Sequence, residues 1–176
     1  MARNREALLA AAKAVFARAA GPASLDAVAR EAGLGIGTLY RHFPTREALY
    51  EAVYRRDIEQ IVELGAGSDG DPIVALRGWL HAMIDVIATK KGMIAAFALA
   101  VDTTTAISAR TTEPLTQTLD QLLARAVATG RVHTDLRGED LLLAVVGMCM
   151  LRSQPDWQAS VARLIDTLVD GLIPRE

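Results

Sequence analysis

The segment Glu31-Ala32-Gly33-Leu34-Gly35-Ile36-Gly37-Thr38-Leu39-Tyr40-Arg41-His42-Phe43-Pro44 decides the fold of this chain. It contains the end of one short helix, a glycine-bearing turn, and a second short helix that stops before a proline. The connection has only three or four residues, so the two helices must cross steeply instead of lying side by side. This arrangement predicts a helix-turn-helix, which places its second helix in the major groove of DNA.

The second helix of this segment, at about 36–43, divides into a buried face and an exposed face. Leu39 and Phe43 are the apolar residues that would hold it against its own domain. Its other faces carry groups that can donate hydrogen bonds to phosphate oxygens, on Thr38, Tyr40, Arg41 and His42. Gly37 permits a close backbone approach, and Ile36 at the helix tip suits a thymine methyl group. Alternatively, Tyr40 and His42 would simply cover a small helical core.

Helical patterns continue on both sides of this segment. Apolar spacings of three and four predict a helix at about 3–19, and Ser24 can cap a short helix that closes at Gly33. Thr45 can cap a fourth helix that runs to about residue 64, and a linker follows at 65–72. Further helical segments are predicted at about 73–88, 93–101, 114–129, 139–151 and 156–172. No strand pattern is found, so the sequence predicts an all-α protein.

Charge is distributed unevenly along the chain. Residues 1–50 carry seven Lys and Arg against four acidic residues, whereas the remainder carries 12 against 17, within a net charge of -2. A basic first part can face phosphates while an acidic remainder is kept away from them. Solvated surface charge alone would also produce an asymmetry of this size.

Residues from about Arg5 to Tyr54 resemble the DNA-binding domain of the TetR family of transcriptional regulators. The resemblance rests on a set of short motifs at fixed spacings: Ala32-Gly33-Leu34, Gly37-Thr38-Leu39-Tyr40, His42-Phe43-Pro44 and Arg46-Glu47-Ala48-Leu49. It implies an N-terminal three-helix helix-turn-helix domain at 1–50. A long helix would join this domain to a C-terminal helical ligand-binding and dimerisation domain at 51–176.

The resemblance also implies which residues meet DNA, namely Ser24, Ile36, Gly37, Thr38, Tyr40, His42 and Arg46. In the family, the Thr and Tyr positions mainly touch phosphates, and Ser24 and Arg46 match positions that hold the DNA backbone. Arg46 stands where lysine is usual, which keeps the charge. Gly35 departs from the pattern, because the family commonly has Ser or Thr there, so one capping hydroxyl is missing.

The remainder of the chain offers two candidate ligand-contacting features. Methionine and aromatic side chains could form an adaptable apolar pocket, or could be ordinary core, at Trp79, Met83, Met93, Phe97 and Met148. A second feature comprises polar residues spaced four apart, Arg77, His81 and Asp85. They would form either a polar stripe in a cavity or a solvated helix face with i,i+4 pairs.

Motifs for catalysis, metals and cofactors are missing from the sequence. There is no G-x-S-x-G elbow and no H-E-x-x-H, and the three histidines have no ligand spacing. Gly33, Gly35 and Gly37 follow G-x-G-x-G instead of the dinucleotide fingerprint. Cys149 is expected to be buried and inert, and a single cysteine excludes an internal disulfide. No signal core follows the N-terminus and no apolar run reaches about 18 residues, so a cytoplasmic protein without a membrane partner, enzyme activity or cofactor is expected.

These features together predict a DNA-binding transcriptional regulator. The resemblance implies a repressor that binds a palindromic operator as a homodimer and is released by a small molecule. The resemblance also implies that the apolar segments 141–148 and 161–169 pair with a second copy as a four-helix bundle; alternatively, they close the monomer core. The alternative function is a helical small-molecule-binding protein or enzyme with a vestigial helix-turn-helix.

Overall fold

The computed structural model describes residues 2–18, 24–67, 70–97, 101–150 and 156–174, and within these ranges it contains α-helices and no strands. The prediction of an all-α fold is confirmed. The helices in chain order are α1 (Ala2–Arg18), α2 (Leu25–Glu31), α3 (Ile36–His42), α4 (Arg46–Ala66), α5 (Pro72–Phe97), α6 (Val101–Ala128), α7 (Gly138–Met150) and α8 (Trp157–Gly171).

The chain forms two compact units whose segments alternate along the sequence. The first unit comprises Met1–Asp57 and Ala88–Arg110, and the second comprises Ile58–Ile87 and Thr111–Glu176. Helices α4, α5 and α6 therefore each contribute residues to both units. The sequence-based boundary between residues 50 and 51 stays a prediction.

The core of the first unit is built from the apolar faces of α1 to α5. Leu39 and Phe43 are both buried in it, which confirms them as the residues that anchor the second helix of the helix-turn-helix. Met93 from α5 belongs to the same core. The other fully enclosed large side chains of this core are Leu8, Phe16, Leu49 and Tyr50.

Helix α5 is one continuous helix, so the prediction of two segments, at 73–88 and 93–101, is wrong. The sequence pattern predicts a helix end at Gly92. In the structure, Gly92 lies within α5, where this helix approaches α1 closely. A Cβ atom at Gly92 would lie 2.4 Å from the carbonyl oxygen of Phe16. Gly92 therefore allows two helices to pack closely, and it does not terminate either helix.

Helix α6 begins at Val101, well before the predicted start at Pro114, and the proline lies inside it. A proline at this position removes one backbone hydrogen bond of the helix. The helix nevertheless continues, and its buried face carries Leu115, Leu119, Leu122 and Leu123. Burial of four leucines, each contributing about 1.5–3 kcal/mol, outweighs the roughly 3 kcal/mol that an interior proline costs.

In the second unit, the last two turns of α4 pack closely against α5 and α6. The indole Nε1 of Trp79, on α5, donates to the carbonyl oxygen of Ile61 at 2.8 Å. A guanidinium nitrogen of Arg125, on α6, donates to the carbonyl oxygen of Gly65 at 2.9 Å. A Cβ at Gly65 would lie 2.2 Å from Cγ2 of Thr118 and 3.2 Å from the Trp79 ring. Thr118 and Trp79 therefore leave no space for a side chain at Gly65.

One stretch of α5, Pro72–Ile94, is long and apolar enough to cross a membrane by length and composition, with a mean hydropathy of 1.2. Half of its most apolar window is buried within the protein's own fold. The core helix of a soluble protein meets the same criterion, so this helix is weak evidence for membrane insertion.

Candidate nucleic-acid interface

The turn between α2 and α3 has the geometry that the sequence predicts. Ser24 is the N-cap of α2, and its Oγ accepts a hydrogen bond from the backbone N–H of Ala27 at 3.2 Å. Gly33 has φ +66°, a left-handed conformation that a side chain would strain. The N–H of Leu34 donates back to the carbonyl oxygen of Ala29 at 2.9 Å and closes the turn.

Helix α3 has one buried face and is otherwise open. Leu39 is fully buried, and the N–H of Phe43 ends the helix by donating to the carbonyl oxygen of Leu39 at 2.8 Å. At the other end, Gly35 is the N-cap and provides no side-chain hydrogen bond, as its departure from the Ser/Thr pattern predicts. A Cβ at Gly35 or at Gly37 would meet no atom within 4 Å, so this end of α3 is open space.

The seven predicted DNA-contacting residues lie on α3 and at the starts of α2 and α4. Tyr40 has 49% of its surface exposed. Ser24, Gly37 and Arg46 are also exposed, whereas Thr38, His42 and Ile36 are half-buried. Ile36 packs partly against the core of the first unit. Their roles in binding DNA stay a prediction.

Several basic side chains of the first unit form ion pairs within the protein. Lys13 pairs with the buried carboxylate of Asp57 at 2.7 Å, and Arg18 pairs with Glu31 at 2.8 Å. Arg41, on α3, is exposed, and its Nε donates to the carbonyl oxygen of Gly37 at 3.3 Å. These pairs neutralise charge on α1 and α2. The surface of residues 1–50 is therefore less positively charged than a count of their lysines and arginines indicates.

A cleft that the sequence did not predict lies beside the end of α3. Arg5 of α1 lies with its guanidinium carbon 5.5 Å from the centroid of the Phe43 ring. Arg5, His42 and Phe43 line this cleft together with residues of the first turns of α4. No local signal in the sequence links Arg5 to Phe43, because the two residues are far apart in the chain.

The predicted ligand-contacting residues fall in different units. Trp79 and Met83 are buried and Met148 is half-buried in the second unit, whereas Met93 belongs to the core of the first. The side chain of Phe97 lies outside the described part of the structure. A shared pocket for these five residues stays a prediction.

Two of the three polar residues on α5, Arg77 and His81, pair with residues of α8, which neither sequence-based alternative anticipated, whereas Asp85 is exposed. Arg77 binds both Asp166, at 3.0 Å, and Asp170, and His81 Nε2 lies 2.9 Å from the same Oδ1 of Asp166. The hydrogen bond from Arg77 lowers the pKa of Asp166. The hydrogen bond with Asp170, followed by that with Asp166, raises the pKa of Arg77. The cluster thus ties two helices of the second unit together.

Comparison with protein families assigns both parts of the chain. Residues 8–53 match the family described as bacterial regulatory proteins, tetR family. Residues 71–174 match the C-terminal domain described as transcriptional regulator SbtR-like. A search of curated proteins finds no significant match.

Solved structures resemble the chain over almost its whole length. The TetR transcriptional regulator SCO0520 of Streptomyces coelicolor is 37% identical, with 98% of this chain and 99% of that chain covered and a TM-score of 0.82. A TetR regulatory protein of Mycobacterium vanbaalenii is 28% identical, with coverages of 98% and 96% and a TM-score of 0.74. NalD of Pseudomonas aeruginosa, the secondary repressor of a multidrug efflux pump, is 20% identical over the full length of both chains, with a TM-score of 0.59. The likeness to NalD shows the fold alone.

Proposed function

Because the chain belongs to the TetR family of transcriptional regulators, we propose that it is a repressor which binds a palindromic operator as a homodimer and releases it when a small molecule binds. The observation that carries this proposal is helix α3, which is fixed by buried Leu39 and Phe43 and presents its other faces outward. Two such helices in a dimer would enter major grooves about one helical turn apart, roughly 34–36 Å.

Phosphate contacts are assigned to the exposed polar residues around α3. The Tyr40 hydroxyl and the Arg46 guanidinium are on exposed residues, and both groups donate hydrogen bonds. Ser24 has a dual role, because its Oγ accepts from Ala27 while its own proton is free to be donated to a phosphate oxygen. Thr38 and His42 are half-buried donors on the same short helix. Such contacts set the position of the helix on the duplex but do not distinguish one base sequence from another.

Base reading is assigned to the N-terminal tip of α3. Part of the Ile36 side chain packs on the core, which fixes its direction, and the remainder is available to a thymine methyl group. At Gly37 the open space seen for an added Cβ would admit a base edge close to the backbone.

Dimerisation is assigned to the exposed apolar face of α7 and α8. Leu143 and Met150 lie two turns apart on α7, with 72% and 44% of their surfaces exposed, and Leu164 on α8 is 42% exposed. Other faces of these two helices, with Val145 and Ile165, are fully buried in the second unit. Both halves of the sequence-based alternative therefore have support, because these helices close the core of their own chain and also leave apolar surface for a second copy.

The remaining parts of the proposal concern the ligand and the compartment. Residues 51–176 would bind the small molecule, with Trp79, Met83, Met93, Phe97 and Met148 as its candidate contacts. Members of this family are generally regulators without enzyme activity, which argues against the alternative of an enzyme with a vestigial helix-turn-helix. A DNA-binding regulator of this kind would act in the cytoplasm.

A salt titration of binding to duplex DNA from the protein's own upstream region tests the proposal. Phosphate contacts make the logarithm of the binding constant fall linearly with the logarithm of salt concentration. We expect Tyr40→Phe and Arg46→Ala to weaken binding to all sequences alike, and Ile36→Ala to change the preference among base-substituted operators. Arg137→Ala is the matched control for Arg46→Ala, because Arg137 is an exposed arginine of the second unit.

Absence of binding by the wild-type protein, even at low salt, would refute the regulator function. Equal effects of all three interface variants on every sequence would refute the division between phosphate contacts and base reading. A dimer that persists after Leu143→Glu on α7 and Leu164→Glu on α8 would refute the assigned dimer face.

A further inference from the structure

The first unit contains a small polar cleft between the start of α1, the end of α3 and the first turns of α4. It measures about 190 Å³ and is lined by Arg5, His42, Phe43, Glu51 and Arg55, with Ala48 and Ala52 as its small residues. We propose that this Arg5 cleft is a phosphate-binding site, in which Arg5, His42 and Arg55 donate hydrogen bonds to the phosphate oxygens.

Arg5 is held in the orientation that such a site needs. Its guanidinium lies 5.5 Å from the centroid of the Phe43 ring, within the range of a cation–π contact. Phe43 is buried and directly follows the last residue of α3, so its ring is a fixed support. The contact occupies one face of the guanidinium of this exposed residue, and a stacking contact of this kind does not use the N–H groups at the edge, which can donate to a phosphate.

The charges lining the cleft favour an anion. Arg55 bonds to the Oε1 of Glu51 at 2.6 Å, so these two opposite charges compensate each other. That bond uses one of the five N–H donors of Arg55 and leaves donors for a second acceptor. Arg5 then supplies the excess positive charge, and the His42 imidazole provides a ring N–H donor whether it is neutral or protonated.

The size of the cleft and its position on α4 restrict the ligand to a small anion. Its volume is well below the roughly 300–1,000 Å³ of sites for drug-sized molecules. Ala48 and Ala52 keep this space open, since longer side chains would fill it. Ala48 lies in the first turn of the 21-residue helix α4, where the helix dipole favours negative charge.

Two sources could supply the phosphate: the backbone of bound DNA, or free inorganic phosphate. The first rests on the proposed function, because His42 is also one of the proposed DNA contacts and would bring a backbone phosphate to the mouth of the cleft. The second does not depend on DNA. Both use the same donors, so one pair of variants tests both.

For the DNA source, salt titrations compare the wild-type protein with Arg5→Ala and with Arg5→Gln, which keeps most of the side-chain bulk. Each Arg5 variant removes one phosphate contact from both protomers of the proposed homodimer, so the salt-dependence slope is expected to fall by about 1.8, equally for all operator sequences. Arg3→Ala is the matched control, because Arg3 is an exposed arginine two residues earlier on α1 and does not line the cleft. Circular dichroism verifies that each variant keeps its helical content.

For free inorganic phosphate as the source, the melting temperature of the protein is measured at increasing concentrations of sodium phosphate. A parallel series with sodium chloride at matched ionic strength is the reference. Selective stabilisation of the wild-type protein and of Arg3→Ala, but not of the Arg5 variants, identifies inorganic phosphate as the ligand. A reduced slope for the Arg5 variants without this stabilisation identifies the DNA backbone.

The proposal is overturned if the Arg5 variants behave as the wild-type protein does in both titrations. In that case normal DNA binding would leave the proposed function intact. If the wild-type protein binds no DNA, the proposed function fails, and the phosphate titration alone decides for or against the cleft.

Discussion

Replacement of Gly65 by alanine is expected to destabilise the protein, although alanine is the better helix former. The added Cβ would lie 2.2 Å from Cγ2 of Thr118 and 3.2 Å from two atoms of the Trp79 ring. Neither neighbour can move freely, because Thr118 Oγ1 donates to Pro114 at 2.8 Å and the Trp79 indole donates to Ile61 at 2.8 Å. Overpacking of this kind costs about 1–3 kcal/mol, whereas the change from glycine to alanine in a helix contributes at most about 1 kcal/mol.

With the full gain of about 1 kcal/mol subtracted, the net loss is up to about 2 kcal/mol, which corresponds to a fall in melting temperature of up to roughly 8 °C for a chain of this size. Thermal unfolding followed by circular dichroism at fixed protein concentration measures it. Gly78→Ala is the matched control, because Gly78 is exposed on α5 and its added Cβ would meet nothing within 4 Å. That variant is expected to gain about 0.5–1 kcal/mol from helix propensity alone.

A second substitution identifies the atom responsible for the loss. Thr118→Ser removes the methyl group that Gly65→Ala would strike and keeps the hydroxyl that bonds to Pro114. The double variant should consequently be more stable than the sum of the two single changes, by about 1 kcal/mol or more. Additive effects, or a Gly65→Ala variant as stable as Gly78→Ala, would refute the reasoning.

Three further substitutions have expected outcomes in the same unfolding assay. Gly35→Ser should stabilise the protein by a few tenths of a kcal/mol, because the extended N-cap of α3, with φ -76°, accepts serine without strain; no gain would mean that the cap stays unformed. Gly33→Ala should cost about 1–2 kcal/mol, because its φ of +66° is left-handed, and an unchanged melting temperature would contradict this. Asp166→Asn should lower stability at neutral pH, since Arg77 lowers the pKa of the carboxyl below its ordinary 3.8 in the folded state. This contribution is present above the unfolded-state pKa and is lost as the pH falls through the folded-state pKa, so the two melting curves should converge below about pH 4; a constant difference would exclude the ion pair as its source.

The parts of the fold that the sequence predicted well depend on local signals. The Ser24 cap, the left-handed Gly33 and the buried positions of Leu39 and Phe43 all follow from residues within one or two turns of each other. Caps, turns and apolar periodicity act over such distances, so a single sequence is sufficient to recognise them. The helix-turn-helix was predictable for this reason.

The parts that the sequence could not predict depend on contacts between distant residues. The local pattern predicts a helix end at Gly92, because the role of this glycine, the approach to Phe16, involves another helix. The local pattern predicts a helix start at Pro114, because it does not reveal how deeply the leucines that follow the proline are buried. For the candidate site, the exposed face of α3 was predictable, but the pairing of Arg5 with Phe43 was not. The partner of Arg77 and His81, Asp166, is similarly more than 80 residues away.

The alternation of the two units along the chain has a consequence for synthesis on the ribosome. The helix-turn-helix is finished by residue 57, yet the unit that contains it also requires Ala88–Arg110, including buried Met93. At a translation rate of about 5–20 residues per second, the nascent first unit waits roughly 3–10 seconds for this segment. During that interval the apolar pocket that receives Met93 is open. The core that supports helix α3 is therefore incomplete until the chain has been translated well beyond this helix. A chaperone has a defined interval in which to bind the nascent chain.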